Sequence, residues 1–211
     1  IVRSVAAACA EAGVALLGGE TAEHPGVMEA DAFDLAGAAL GIVEEGEHVD
    51  GSAIRPGDTI VGLASPNLRA NGFSLVRRVV LEELELDDVL LEPSVLYTPA
   101  MTTVLDELMV KGMAHITGGG LPGNVARILP DFCNARIDTD EWLPPPVFAA
   151  VRRLGDVPST EMFRTFNMGI GFVVVVSPAM ARDVIAIAEA AGHQAGEIGA
   201  ITPGAGRVVL E

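Results

Sequence analysis

Two cysteines, a single lysine and no long apolar run bound what this 211-residue chain can be. Cys9 and Cys133 are too few and too far apart for a disulfide framework or a zinc site, and read as reduced, buried residues of a cytoplasmic protein. Lys111 is the only lysine; Lys and Arg together number 13 against 29 Asp and Glu, a formal net charge of −16. Broad binding to nucleic acid or to an anionic membrane needs a cationic patch, so neither is expected as a partner. A small phosphorylated ligand is still admissible, because a few arginines, glycine N–H groups and a divalent metal can hold one locally. No stretch has the length of a membrane span or the form of a signal peptide. Cys/His ligand spacing and the Gly-x-Ser-x-Gly context are both missing, which argues against covalent catalysis. Internal repeats and low-complexity segments are absent as well.

What is present is apolar patterning, with hydrophobic residues making up 50% of the chain. Val2, Val5, Ala6, Cys9 and Ala10 recur at helical spacing and Gly13 suits the helix end. No N-cap precedes Ile1, so the chain is expected to be a piece of a longer protein. Strands are expected over 14–17 and 33–43. The polar stretch 44–57, with Gly46, Gly51, Pro56 and Gly57, divides a unit 1–50 from a unit 51–211. In the second unit the pattern predicts a strand over 58–64 and a helix over 74–84, with Leu75, Val79 and Leu84 inward and Arg77, Arg78, Glu82 and Glu83 outward. A helix over 99–111 would bury Val104, Leu105, Leu108 and Met109. A strand over 113–116 precedes a helix that Pro122 opens, running through Val125, Ile128 and Leu129. A strand over 134–138 follows, and Pro144, Pro145 and Pro146 restart the chain as a helix to Leu154. Residues 171–176 read as a strand buried on both faces. Ser177 and Pro178 open a helix that Gly192 ends, and strands over 195–201 and 207–210 close the unit. The fold class is α/β to α+β, a mixed sheet covered by helices.

Four loops at strand ends carry the chemistry, where ligands bind in α/β folds. In the first, Gly18, Gly19 and Thr21 could meet a phosphate and the Glu20 carboxylate could meet Mg2+, a hard cation that prefers oxygen; a turn with solvated acids is the plain alternative. In the second, residues 65–72, Arg69 and Asn71 could hold phosphate or amide groups, with an ordinary loop at a helix start as the plain alternative. The third is Gly118-Gly119-Gly120 with Asn124 beyond it, whose open backbone and following helix start suit an anion, or form a glycine-rich turn. The fourth, residues 164–171, brings Thr165 and Asn167 to the entry of the buried strand. His115 would need a hydrogen-bonding partner to act as a base, and a structural histidine is the plainer reading.

Taken in order, five segments resemble one family: Gly-Gly-Glu-Thr-Ala-Glu from Gly18, Asn-Gly-Phe-Ser-Leu-Val-Arg from Asn71, His-Ile-Thr-Gly-Gly-Gly from His115, Arg-Ile-Leu-Pro-Asp from Arg127 and Met-Phe-Arg-Thr-Phe-Asn-Met-Gly-Ile-Gly from Met162. Together they are similar to the phosphoribosylformylglycinamidine cyclo-ligases, or aminoimidazole ribonucleotide synthetases, over nearly the whole chain. The resemblance implies a two-domain, homodimeric synthetase subunit with most of the first domain missing here. It implies ATP and Mg2+, with K+ beside them, and ring closure of a ribonucleotide in purine synthesis. Under it Arg69 and Asn71 are catalytic, Glu20 binds metal, and Gly18, Gly19, Thr21, Gly118, Gly119, Gly120, Asn124, Thr165 and Asn167 bind substrate or phosphate.

Two departures stand out. The family's Asp-Gly-Val-Gly-Thr-Lys segment, tied to ATP and metal, has no counterpart here, and Arg69 stands where the family commonly shows His. Arginine cannot give and retake a proton near neutral pH. The alternatives are another ATP-using member of the superfamily (selenophosphate synthetase, thiamine-monophosphate kinase or the amidotransferase one step earlier) or an inactive folding and dimerisation module. Segments 71–77 and 165–171 favour the cyclo-ligase.

Overall fold

The computed structural model describes residues 1–29, 31–80 and 87–211. The chain divides into two units, Ile1–His48 and Val49–Glu211. In the first, the apolar spacing produces α1 (Val2–Glu11), which ends where Gly13 takes a φ of 69°. The strands expected over 14–17 and 33–43 are not formed. Leu17, Leu40 and Ile42 are 89%, 96% and 102% exposed. A strand persists only with a partner for its N–H and C=O groups and a surface for its side chains. Among the described residues of this unit the pairing is limited to an isolated bridge between Pro25 and Met28.

The second unit runs through β1 (Thr59–Ala64), α2 (Phe73–Val80), α3 (Asp87–Leu90), α4 (Thr98–Glu107), β2 (Gly112–His115), α5 (Gly120–Val125), β3 (Cys133–Ile137), α6 (Pro146–Gly155), α7 (Ser159–Thr165), β4 (Ile170–Val176), α8 (Ala181–Ala190), β5 (Ala195–Pro203) and β6 (Val208–Leu210). Its strands form one six-stranded sheet in the order β2-β4-β1-β5-β3-β6. Neighbours are antiparallel except β3 and β6, which run parallel. This is the mixed, helix-covered sheet that the patterning predicts, in its α+β form.

The valine run makes β4 an inner strand, with Val173 to Val176 wholly buried. Side chains alternate across a strand. Ile60, Val173, Val175 and Ile198 therefore meet Leu121 and Val125 of α5 on one face. Val61, Leu63, Val174 and Val176 meet α4 and α8 on the other. A third cluster joins α2, α6 and α7 through Leu68, Val76, Phe148, Met162 and Phe166. Fully burying each such side chain stabilises by about 1.5–3 kcal/mol, so this cluster holds both the 65–72 loop, through Leu68, and the 166–169 loop, through Phe166.

Some boundaries differ from the sequence reading. The helix expected over 99–111 stops at Glu107, because Leu108 turns extended, and its buried residues are Ala100, Met101 and Val104, leaving Leu105 43% and Met109 72% exposed. The continuation of α2 to Leu84, with Glu82 and Glu83, lies outside the described residues. The helix at Pro122 begins two residues earlier, at Gly120, and gives way to a 3-10 turn at Ala126. Ser177 makes no side-chain cap, and Pro178 opens a 3-10 turn that leads into α8. Cys133 is buried and Cys9 only partly so; both are free thiols. No helix among the described residues is long and apolar enough to cross a membrane.

The register sets up the site. Ala64 at the end of β1 pairs with Ile170, and His115 at the end of β2 pairs with Phe172. Three loops, 65–72, 116–120 and 166–169, therefore leave the sheet at the same end.

Candidate functional site

The 65–72 loop is shaped by buried asparagines. Asn67, 1% exposed, accepts the N–H of Arg69 at 2.9 Å and donates to the carbonyls of Glu92 and Pro93 at 3.3 and 3.1 Å. Asn167, also 1% exposed, donates to the Asn67 carbonyl at 3.0 Å and to Ser65 Oγ at 3.4 Å, while its Oδ1 accepts the N–H of Gly169 at 2.7 Å. Asn167 is thus spent on tying two loops together. These ties hold Arg69 and Met168 at φ of 58° and 50°. The left-handed region costs a side-chain-bearing residue roughly 1–2 kcal/mol, and both strained residues stand in the converging loops.

Arg69 and Asn71 reach from this loop to the end of β2. Asn71 Oδ1 accepts the N–H of Gly118 at 3.0 Å. Arg69 Nη1 donates to the Gly171 carbonyl at 3.2 Å, and Nη2 bonds His115 Nε2. The guanidinium also lies 5.6 Å from the centre of the Tyr97 ring, within cation–π range. Tyr97 arrives from the start of α4, donates to the Ala64 carbonyl at 2.7 Å and packs its ring against Phe172, His193 and His115. Gly171 has no side chain because a Cβ there would strike the Tyr97 hydroxyl.

Burial sets the ionisation of this cluster. It raises the Tyr97 phenol and lowers Arg69 and His193; His115 is lowered by burial first and by the Arg69 charge second. Arginine starts so high that Arg69 keeps its charge, while His115 is neutral at pH 7.

The triple-glycine loop is held from beneath. Asn124, 4% exposed, donates to the carbonyls of Gly120, Thr117 and Gly118 at 2.8, 3.2 and 3.3 Å and accepts from Thr117 Oγ1 at 3.2 Å. Gly119 has a φ of 100° and Gly120 of 58°. A Cβ on Gly120 would run into the Phe163 and Phe166 carbonyls, so packing against α7 requires that glycine. Around Gly119 there is room: a Cβ would sit 3.6 Å from Gly123 Cα and 3.7 Å from Asn124 Nδ2. The N–H of Gly118 is engaged by Asn71 and that of Gly120 by the Thr117 carbonyl at 3.0 Å. Gly119 is the one of the three whose N–H has no partner among the described residues.

Thr165 stands apart from this cluster. Its hydroxyl donates to Glu161 Oε1 at 3.0 Å within α7, and it lines a separate depression of about 400 Å3 with Ser74, Arg78 and Pro158. Gly18, Gly19, Glu20 and Thr21 belong to the first unit, where they are exposed, and a Cβ on Gly18 or Gly19 would meet nothing within 4 Å. A larger cleft of about 750 Å3 opens beside Gly169 and Ile170, walled by Trp142, Pro145, His193 and Ser65. Trp142 is fixed there by donating to the Met168 carbonyl at 2.8 Å.

The structure therefore gathers Arg69, Asn71, Gly118, Gly119, Gly120 and Asn124, with Asn167 beneath. It also adds Tyr97, which lies in a stretch with no motif, and it supplies the partner that His115 lacked in sequence, because only the β2–β4 register brings it to Arg69.

Residues 55–211 match the model of the family described as AIR synthase related protein, C-terminal domain. A phosphoribosylformylglycinamidine cyclo-ligase of Anaeromyxobacter dehalogenans is 44% identical over 97% of this chain and 63% of its own length. One from Myxococcus xanthus is 42% identical over 98% of this chain and 64% of its own. The chain thus spans a little under two thirds of the curated relatives it matches. Among solved structures, E. coli HypE, a hydrogenase maturation protein, superposes with a TM-score of 0.54 at 22% identity, covering 77% of this chain and 49% of that one. Thiamine-monophosphate kinase from Stenotrophomonas maltophilia does so with 0.52 at 15% identity, covering 80% and 54%. At such identities these two show a shared fold alone. The family match covers the whole sheet and every loop of the Arg69 cluster, and this chain belongs to the AIR synthase related family, its residues 55–211 forming that family's C-terminal domain.

Proposed function

We propose that this chain serves the ATP-dependent ring closure of formylglycinamidine ribonucleotide to aminoimidazole ribonucleotide in purine synthesis. The observation that carries the reading is the 44% identity to a cyclo-ligase across 97% of the chain. In that reaction the formyl amide oxygen attacks the γ-phosphorus of ATP and ADP departs. A nitrogen of the same substrate then attacks the activated carbon, the phosphate leaves with the former amide oxygen, and proton loss completes the imidazole.

Such chemistry needs two groups of one molecule held in line and charge on a transferring phosphoryl group neutralised, with no covalent nucleophile. Arg69 supplies a fixed positive charge and Asn71 a side-chain amide at the mouth of the glycine loop, and Gly119 offers an open N–H. Asn124 and Asn167 act by fixing the loops that carry these groups. Gly18, Gly19 and Thr21 are assigned to phosphate, and Thr165, whose hydroxyl is bonded to Glu161 apart from the cluster, to substrate or phosphate. Glu20 is assigned to Mg2+, yet one carboxylate does not make a divalent site, and no group of three His, Cys, Asp or Glu gathers among the described residues. The residues described here do not by themselves fit Mg2+ or K+, and no step is routed through either ion. A cytoplasmic homodimer using a ribonucleotide and ATP completes the reading.

Calorimetry tests it. Saturable binding of formylglycinamidine ribonucleotide, with no comparable binding of thiamine monophosphate, is the expected result. Preference for thiamine monophosphate, or no ribonucleotide binding at all, would overturn it.

A further inference from the structure

We propose that His115 is a ligand-binding residue, held by Arg69 in the tautomer that carries its proton on Nδ1, and that it donates that proton to an acceptor oxygen of the ligand. The proposal rests on the Arg69 cluster being the ligand site, and it holds whichever oxygen-bearing ligand occupies it.

The tautomer follows from donor arithmetic. A guanidinium has five N–H donors and no acceptor. The atom of His115 that faces Arg69 Nη2 is Nε2, so Nε2 must present its lone pair. A neutral imidazole carries one proton, which is then on Nδ1. The imidazolium has no lone pair to offer and would set a second positive charge against the guanidinium. The rings facing His115 are Tyr97 at 6.3 Å and Phe172 at 5.9 Å, and the Tyr97 hydroxyl is turned to the Ala64 carbonyl. Neither offers a charge that would reverse this preference.

Arg69 in turn is built to hold the ring. Its Nη1 is anchored on the Gly171 carbonyl, its plane lies by Tyr97, and its Nε is buried without a partner. The Gly171 and Tyr97 contacts fix the guanidinium, so its Nη2 meets the His115 ring in one place. His115 stands at the exposed rim of the cluster even though its Nε2 edge is packed on Arg69, so a ligand can reach the ring from solvent. One positive charge is shared over the pair, and the group displayed is a neutral N–H. That display selects carbonyl, amide or phosphate oxygens and rejects ammonium-like groups.

Labelling the histidines with 15N and recording long-range 1H–15N correlations at neutral pH tests the tautomer, with His115→Asn identifying the signals. The expected spectrum shows His115 protonated at Nδ1 and bare at Nε2, and Arg69→Met shifts it toward the Nε2–H form. Protonation at Nε2 in the unmutated chain would overturn the proposal without any variant having to fold. Titration with inorganic phosphate and, separately, with formylglycinamidine ribonucleotide tests the donor role. A shift at Nδ1 with both assigns a phosphate oxygen; a shift with the ribonucleotide alone assigns its amide oxygen; a shift with neither overturns the ligand role. A shift with phosphate and none with the ribonucleotide would keep His115 and sink the cyclo-ligase reading. His115→Asn, which can place an amide N–H near Nδ1, should bind the shifting ligand within about threefold of the unmutated chain, while His115→Gln loses about tenfold. Equal affinities for Asn and Gln would refute the assignment to Nδ1.

Discussion

Replacing Asn124 should destabilise the second unit in an order that the hydrogen bonds dictate. Its amide nitrogen serves three carbonyls and its oxygen accepts from Thr117. Asn124→Ala removes all four bonds and leaves a small void. The Gly118 carbonyl belongs to an exposed residue and can turn to water, whereas Gly120 is buried and its carbonyl has little access to it. A buried group left unpaired costs about 1–3 kcal/mol, so Asn124→Ala should cost about 2–4 kcal/mol. Asn124→Asp keeps the shape and the Thr117 bond but sets a carboxylate against three carbonyl oxygens. At pH 7 it should be worse than alanine. Its excess penalty should fade as pH falls toward the ordinary Asp value of about 3.9, because burial raises the folded pKa and the unfolded chain then no longer ionises in preference. Urea unfolding followed by the fluorescence of Trp142, the only tryptophan, reads this unit directly. An aspartate variant as stable as the alanine variant at pH 7 would refute the account of Asn124 as a three-way donor.

Three other outcomes are expected. Lys111 Nζ bonds the buried Asp58 at 2.5 Å, so Lys111→Met should cost about 3 kcal/mol by leaving a buried carboxylate short of its partner, and pairing it with Asp58→Asn in a double-mutant cycle should recover much of that loss. The burial and Arg69 charge that lower His115 leave the unfolded state binding more protons below the ordinary value of about 6.5; stability should fall on acidification from pH 7 to 5, and less steeply in His115→Asn melts. Gly119→Ala meets only ordinary contacts, so its cost is the φ of 100°, about 1–2 kcal/mol, and Gly119→Val should add to it; ribonucleotide affinity, measured by calorimetry well below the melting temperature, should fall in both.

How much could be read beforehand depended on how local each cause was. The valine run at 173–176 announces a buried strand because hydrophobicity is carried by the residues themselves. The glycines at 118–120 likewise announce a loop of unusual backbone, and the structure shows two of them at positive φ. What sequence could not separate was the reason for each glycine: Gly120 makes room for the Phe163 carbonyl, while Gly119 leaves space open. Asn167 looked like Asn71 on paper, yet one is sealed inside and the other stands at the loop's mouth. The strands expected over 14–17 and 33–43 show the converse. Apolar runs express a preference, and a strand exists only where a partner completes its hydrogen bonds. Tyr97 and His115 were illegible as a pair with Arg69, since their meeting depends on register and helix placement far apart in sequence.

The tie between Lys111 and Asp58 reaches beyond stability. Lys111 carries the only side-chain amine in the chain, it is 20% exposed, and its nitrogen is committed to a carboxylate. An amine tied into an ion pair is a poor nucleophile. Acylating reagents, aldehydes and lysine-directed crosslinkers therefore find almost no purchase on the side chains of this surface, and acetylation has no exposed lysine on which to write a signal. Arginine does nearly all of the cationic work in this chain, which leaves its small positive features fixed in charge across the whole physiological pH range.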